Sequence, residues 1–183
     1  MGVNLFKKCK PDSYVHSIYD IKYHKLMENG IRYAVFDVDC TLLPFDDINV
    51  SEDNKILFNY INNLGMKSAI CSSSLNSRVK PVADELNVNY LAMAPKPFMN
   101  FSSISSLFDY ECSRDNTVVI GDSLYFDMLL AGRLNMHKIL VDMITEGDNF
   151  KIYPNEVINA AIFQNMKKYG LREKHYYRGF IER

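Results

Sequence analysis

No stretch of the 183 residues is apolar for long enough to cross a bilayer. No signal peptide opens the chain, and Phe6 stands where a myristoylation signal after Met1-Gly2 needs Ser or Thr. These absences predict a cytoplasmic protein, with membrane contact limited to peripheral association at the inner face. The four cysteines, Cys9, Cys40, Cys71 and Cys112, form no CxxC pair and no metal-finger spacing with the four histidines, so free thiols in a reducing compartment are expected. Neither sign of charge is in excess: 21 Lys and Arg face 22 Asp and Glu, a net charge of −1. Nucleic acid is therefore not an expected partner. Repeats and low-complexity segments are lacking too. What remains, 48% apolar, is enough for one core.

The charge that is present is unevenly placed. Lys7, Lys8 and Lys10 make the N-terminus basic, and residues 166–183 carry six cations against Glu173 and Glu182. Tyr176, Tyr177, Phe180 and Ile181 lie among those cations, a mixture suited either to a solvated end or to an anionic membrane surface.

Along the chain, Tyr14, Val15, Ile18 and Tyr19 recur at helical spacing and predict one or two short helices in 12–29, ended by Asn29-Gly30. A first strand runs to about Val38, and Leu42–Val50 is a hairpin or flap. Ser51 caps a helix with apolar Ile56, Leu57, Tyr60, Ile61 and Leu64, stopped by Gly65. Strands are predicted at Lys67–Ser72, Asn89–Met93, Thr117–Ile120 and Lys138–Val141, with helices at 77–86, 101–110, 125–134 and 155–169. The alternation predicts an α/β fold of three layers, Rossmann-like, around a parallel sheet of about five strands. Residues 1–30 read as a helical extension, 31–150 as the core, and 151–183 as a helix and basic tail packed on or extending from it.

Four short segments carry the chemistry: Asp37-Val38-Asp39-Cys40-Thr41, Ser72, Lys96 between Pro95 and Pro97, and Gly121-Asp122 with Asp127. Each falls at or just past a predicted strand end, where open α/β sheets bind ligands. Alternation of side chains in extended structure places Asp37 and Asp39 on one face. One carboxylate can then attack phosphorus while the other handles the proton, which predicts a phosphatase. Taken singly each segment is weak, since Asp-x-Asp suits a solvated turn and Ser72 a helix cap. Their convergence is the signal.

These segments, with Pro11-Asp12-Ser13-Tyr14-Val15 and Arg78-Val79-Lys80-Pro81, resemble the haloacid-dehalogenase superfamily of aspartate-nucleophile phosphatases. The likeness is to its capless class typified by the YqeG family, related to mitochondrial phosphatidylglycerophosphate phosphatase. The resemblance implies Asp37 as nucleophile and Asp39 as general acid and base. It implies Mg2+ held by Asp37, the Asp39 carbonyl and Asp122, with phosphate bound through Thr41, Ser72 and Lys96 and supported by Asp127. The sequence departs from the family where Cys40 and Ser73-Ser74 replace the usual asparagines, and where Leu130-Ala131-Gly132-Arg133 replaces a Gly-rich segment.

Cys71 and Arg78 suggest a cysteine-phosphatase loop, but six residues separate them where that loop needs five, so Cys71 reads as a buried strand residue. Only 31 positions separate Thr41 from Ser72 and 24 separate Ser72 from Lys96, which leaves no room for a cap domain. An open site suits a phosphorylated substrate on something large. Phosphatidylglycerophosphate is the substrate the resemblance favours, a soluble sugar or nucleotide phosphate is the second enzymatic reading, and a non-catalytic, phosphate-recognising assembly factor is the third.

Overall fold

Tyr33–Phe36 and Thr117–Gly121 are buried at every position, the pattern of strands covered on both faces. A computed structural model of the chain describes residues 2–45, 47–144 and 154–171. Six strands, β1 (Ser13–Val15), β2 (Tyr33–Phe36), β3 (Lys67–Cys71), β4 (Asn89–Leu91), β5 (Thr117–Gly121) and β6 (His137–Val141), form one parallel sheet ordered β1-β6-β5-β2-β3-β4. Seven helices accompany them among the described residues: α1 (Gly2–Cys9), α2 (Tyr23–Glu28), α3 (Glu52–Asn63), α4 (Asn76–Leu86), α5 (Phe101–Ser105), α6 (Leu129–Leu134) and α7 (Pro154–Lys168).

Phe36, Ile70 and Ile120 meet α2, α3 and α4 on one face, while Val35, Cys71 and Val119 meet α5 and α6 on the other. Within α3, the Ser51 hydroxyl accepts the Asn54 N–H at 3.1 Å, and Gly65 ends the turn at φ +83°. Phe58 and Ile61 bury their side chains, worth about 1.5–3 kcal/mol each. Two of the residues expected on that apolar face, Ile56 and Tyr60, are exposed, because the buried stripe runs through Asn54, Leu57, Phe58 and Ile61 instead.

The sixth strand is the main departure from the expected sheet. Ser13–Val15, part of a segment read as helical, pairs with Ile139–Val141 at the sheet edge. Three residues are too few for periodicity to separate strand from helix. Helix α1 packs against α6 so closely that a Cβ on Gly132 of α6 would lie 2.0 Å from the Lys8 carbonyl oxygen. In the same cluster as Cys9 of α1, Ile162, Phe163 and Met166 of α7 bury against Leu124 and Leu140. The basic segment 172–183 lies outside the described residues. Among the described residues, no helix is long and apolar enough to cross a membrane.

From β2 the chain steps outward to β3 and β4, then returns to β5 on the opposite side of β2 and goes on to β6, outside which β1, the first strand of the chain, forms the edge. The order therefore reverses between β2 and β5, and it is at the carboxyl ends of such a switch point that open α/β sheets bind ligands. A cavity of about 560 Å3, lined in part by Asn62, Lys67, Asn87 and Phe108, sits at the amino ends of β3 and β4, the opposite edge.

Candidate active site

Strand β2 ends at Phe36, and the Asp37 N–H makes one more bond, 3.0 Å to the Ile120 carbonyl of β5. The chain then turns, with Cys40 at φ +61°, so strand alternation does not govern Asp37 and Asp39 as the sequence suggested. Their carboxylates take different partners. Asp37 Oδ1 accepts the Val38 N–H at 2.8 Å and lies 3.1 Å from Lys96 Nζ. Lys96 Nζ also donates to Asp127 Oδ1 at 2.7 Å, and both side chains are essentially sealed from solvent, at 1% and 0% exposure.

Asp127 reaches this position because the chain after β5 begins as a π-helical turn, Leu124–Met128, instead of the expected α-helix. The N–H groups of Asp127 and Met128 both point to the Ser123 carbonyl, at 3.1 and 3.0 Å, and the extra residue swings Asp127 inward. Its Oδ2 accepts the Ser123 N–H at 3.1 Å. Gly121 makes room: a Cβ there would fall 2.3 Å from the Asp127 carboxylate. Asn159 on α7 braces the turn from behind, its Oδ1 accepting from Ser123 Oγ at 3.1 Å and Tyr125 N at 3.2 Å.

Asp122 completes the acidic centre. Thr41 Oγ1 donates to Asp122 Oδ1 at 3.0 Å and accepts the Asp122 N–H at 3.1 Å, so this hydroxyl ties the β2 loop to the β5 loop. Its proton is spent on Asp122, which differs from the phosphate contact expected of it. One oxygen each from Asp37, Asp122 and Asp127 lies within 4.8 Å of the others. Burial first, then the neighbouring carboxylates, push Asp37 up to about 7 against the pull of Lys96, and raise Asp122 well above the carboxylate range. Burial opposes charge on Lys96 as well, but Asp127 and Asp37 together outweigh it and hold the ammonium protonated. A centre of three crowded carboxylates beside one lysine is short of positive charge. An all-oxygen donor set of this kind fits a hard divalent cation such as Mg2+.

Ser72, fully buried, follows β3, and its Oγ accepts the Ser74 N–H at 3.2 Å. Asp39 lies across the same turn, its Oδ2 bonded to the Ser74 hydroxyl and its Oδ1 to the Arg78 guanidinium. Arg78 and Ser74 were not singled out for the site from the sequence. A basic residue one turn into the helix after Ser72 was the available signal. Cys71 is pushed up to about 12 by burial and sits 3.7 Å from Met99 Sδ, the setting of a packing thiol rather than a nucleophile.

A family model described as HAD-hydrolase-like matches residues 93–149. Over 160 residues the chain is 29% identical to a protein called Probable phosphatase YqeG of Bacillus subtilis (strain 168), covering 87% of this chain and 92% of that one. Among solved structures it resembles an uncharacterized protein of Listeria monocytogenes serotype 4b (16% identity, TM-score 0.48, 75% of this chain and 99% of that one). It also resembles the 3-deoxy-D-manno-octulosonate 8-phosphate phosphatase of Moraxella catarrhalis in complex with magnesium, phosphate and KDO (12% identity, TM-score 0.44, 80% and 91%). A match as long as that to YqeG must take in everything from Asp37 to Asp127, the span whose segments the sheet gathers around Lys96, and over that span the chain is similar to a probable phosphatase and, in part, to the HAD-like hydrolases.

Proposed function

We propose that the protein is a magnesium-dependent phosphomonoesterase working through an aspartyl-phosphate on Asp37. Its substrate in this reading is a phosphate ester too large to be enclosed, phosphatidylglycerophosphate or another surface-borne phosphate. The observation that carries the proposal is the buried lysine between Asp37 and Asp127, 3.1 and 2.7 Å away, at the open carboxyl edge of the sheet. A carboxylate nucleophile and an anionic ester repel each other, and a fixed cation at the point of attack offsets that repulsion.

Asp37 Oδ1 is engaged by Val38 and Lys96, which leaves Oδ2 to bond phosphorus as the bond to the leaving oxygen breaks. Asp39 hands its proton to that oxygen and the alcohol departs. Asp39 then takes a proton from water, whose oxygen displaces Asp37 from phosphorus and frees phosphate. Ser72 and Lys96 receive the non-bridging oxygens. Asp37, Asp122 and Asp127, with the Asp39 carbonyl, would hold the magnesium ion, which supplies Lewis-acid charge neutralisation when bound.

The mouth of the site supports an amphipathic ester. Leu75 and Met93 are 64% and 65% exposed, on loops joined by the 2.8 Å bond from Met93 N–H to the Ser74 carbonyl, and Phe45 and Ile48 of the flap are exposed as well. Met93 holds φ +52°, where folding alone favours Asn or Gly. The test is phosphate release from lipid, sugar and nucleotide phosphates, with magnesium and with a chelator. Release from the lipid that stops in chelator is expected. Release only from sugar or nucleotide phosphates would remove the lipid substrate, and release from none would favour the assembly-factor reading.

A further inference from the structure

Arg78 occupies a place that folding alone does not explain. It stands in the first turn of α4, directly after the Ser72–Ser74 turn, with its side chain 16% exposed. Its Nε and Nη2 grip Asp39 Oδ1, its Nη1 donates to the Asp47 carbonyl at 2.6 Å, and its Nη2 donates to the Pro44 carbonyl at 3.0 Å. The guanidinium carbon also sits 6.0 Å from the centre of the Phe45 ring. One side chain thus spends its donors on the carboxylate assigned to proton transfer and on two carbonyls of the flap that borders it. A lysine would supply the charge but not the planar fork that satisfies all three.

Resting on the phosphatase reading above, we propose that Arg78 is a positioning residue that aims Asp39 and couples it to the flap. Because Oδ1 is gripped by the guanidinium, Oδ2 is the oxygen that exchanges the proton, and it is bonded in this structure to the Ser74 hydroxyl. Ser74 stands beside the serine that receives the phosphoryl group, so the leaving oxygen of a bound ester arrives where the Ser74 hydroxyl now meets Oδ2. The flap fixes the side from which that leaving group enters. Arg78 therefore touches no reacting atom, and acts through Asp39, whose importance in the first step, formation of the aspartyl-phosphate, depends on the leaving group.

That dependence separates positioning from a merely structural role. An alkoxide must be protonated as it leaves, whereas nitrophenolate is stable enough to leave without an acid. In a single turnover, Arg78→Lys is expected to slow release of the alcohol from an alkyl phosphate such as glycerol phosphate by about 100-fold, within the usual range of proton-transfer catalysis. The burst of nitrophenolate from p-nitrophenyl phosphate should stay within about threefold of the wild-type rate, since that step needs no acid, and the later hydrolysis of the aspartyl-phosphate, which Asp39 serves for both esters, should slow alike for the two. For Arg78→Ala, added guanidinium at millimolar concentration should restore first-turnover alcohol release several-fold without altering the nitrophenolate burst. Equal losses in first-turnover release from the two esters, with no rescue, would overturn the role even though the wild type turns over both. A wild type that turns over neither ester would overturn the phosphatase reading and the role of Arg78 with it. The thermal unfolding midpoint of each variant checks its fold independently of activity.

Discussion

Asp37 and Asn differ by one atom in shape and entirely in nucleophilicity. Asp37→Asn is expected to abolish phosphate release while preserving the thermal transition, and release at the wild-type rate would remove the proposed mechanism. Asp39→Asn should still bind phosphate ester but lose about two to four orders of magnitude in kcat on an alkyl phosphate. Cys71→Ser should stay active, since the thiol is buried and protonated. The proposed cation would leave a signature at the same scale. Without it, burial and like charge raise Asp37 to about 7 and Asp122 well above its usual range, so the folded state holds more protons than the unfolded chain between the ordinary carboxylate value and about 7. Stability of the cation-free protein should therefore fall as pH rises through that window, and magnesium should abolish the fall. Calorimetry should record magnesium affinity weakening as pH drops through about 7, with protons released on binding. Affinity that does not change with pH would count against this carboxylate cluster as the site. Cys40, at φ +61°, gives a backbone test: Asn tolerates that conformation, whereas Cys40→Val should lose about 1–2 kcal/mol of stability.

At the scale of elements, the π-helical turn between β5 and α6 decides where the acidic centre forms. The sequence shows Gly121-Asp122 and Asp127 plainly, but a helix begun at Tyr125 in ordinary α geometry was the reading it supported. The inward swing depends on two N–H groups sharing the Ser123 carbonyl and on Asn159 arriving from α7, more than thirty residues later. Gly121→Ala is expected to displace Asp127 from Lys96, because its methyl carbon and the carboxylate cannot share the space. Magnesium binding should weaken along with activity, and unchanged binding would show that the turn can relax. Asn159→Ala removes the acceptor of two bonds, one of them buried, and should cost about 1–3 kcal/mol in denaturant unfolding. The edge strand β1 was also unreadable locally, since only pairing with β6 distinguishes Ser13–Val15 from a helical turn.

For the whole molecule, the open carboxyl edge ties substrate size to surface contact. Residues 172–183 hold Arg172, Lys174, Arg178 and Arg183, and each cation near an anionic membrane contributes about 1 kcal/mol. Deleting 172–183, while keeping Leu171 in its packing against α7, should depress hydrolysis of phosphatidylglycerophosphate in anionic vesicles and leave p-nitrophenyl phosphate turnover unchanged. Higher salt should mimic the deletion. Equal loss on both substrates would mean that the segment serves the fold instead.

Local chemistry was enough to mark the strands that end in Asp37, Ser72 and Asp122, because β-branched and apolar runs broken by polar turns have few other solutions. It was enough also to gather Asp37, Asp39, Ser72, Lys96, Asp122 and Asp127 at one edge, since a parallel sheet puts all its carboxyl ends on one side. Tertiary structure decided how those groups divide the work. Lys96 pairs with Asp37 and Asp127 because the chain crosses from β4 toward β5, and Thr41 serves Asp122 because two loops meet there. Asp39 turns to Arg78 because α4 starts beside the flap. Each of these contacts joins residues 31 to 81 positions apart, and a partner at that distance is chosen by the packing of the sheet and its helices, which no local pattern encodes.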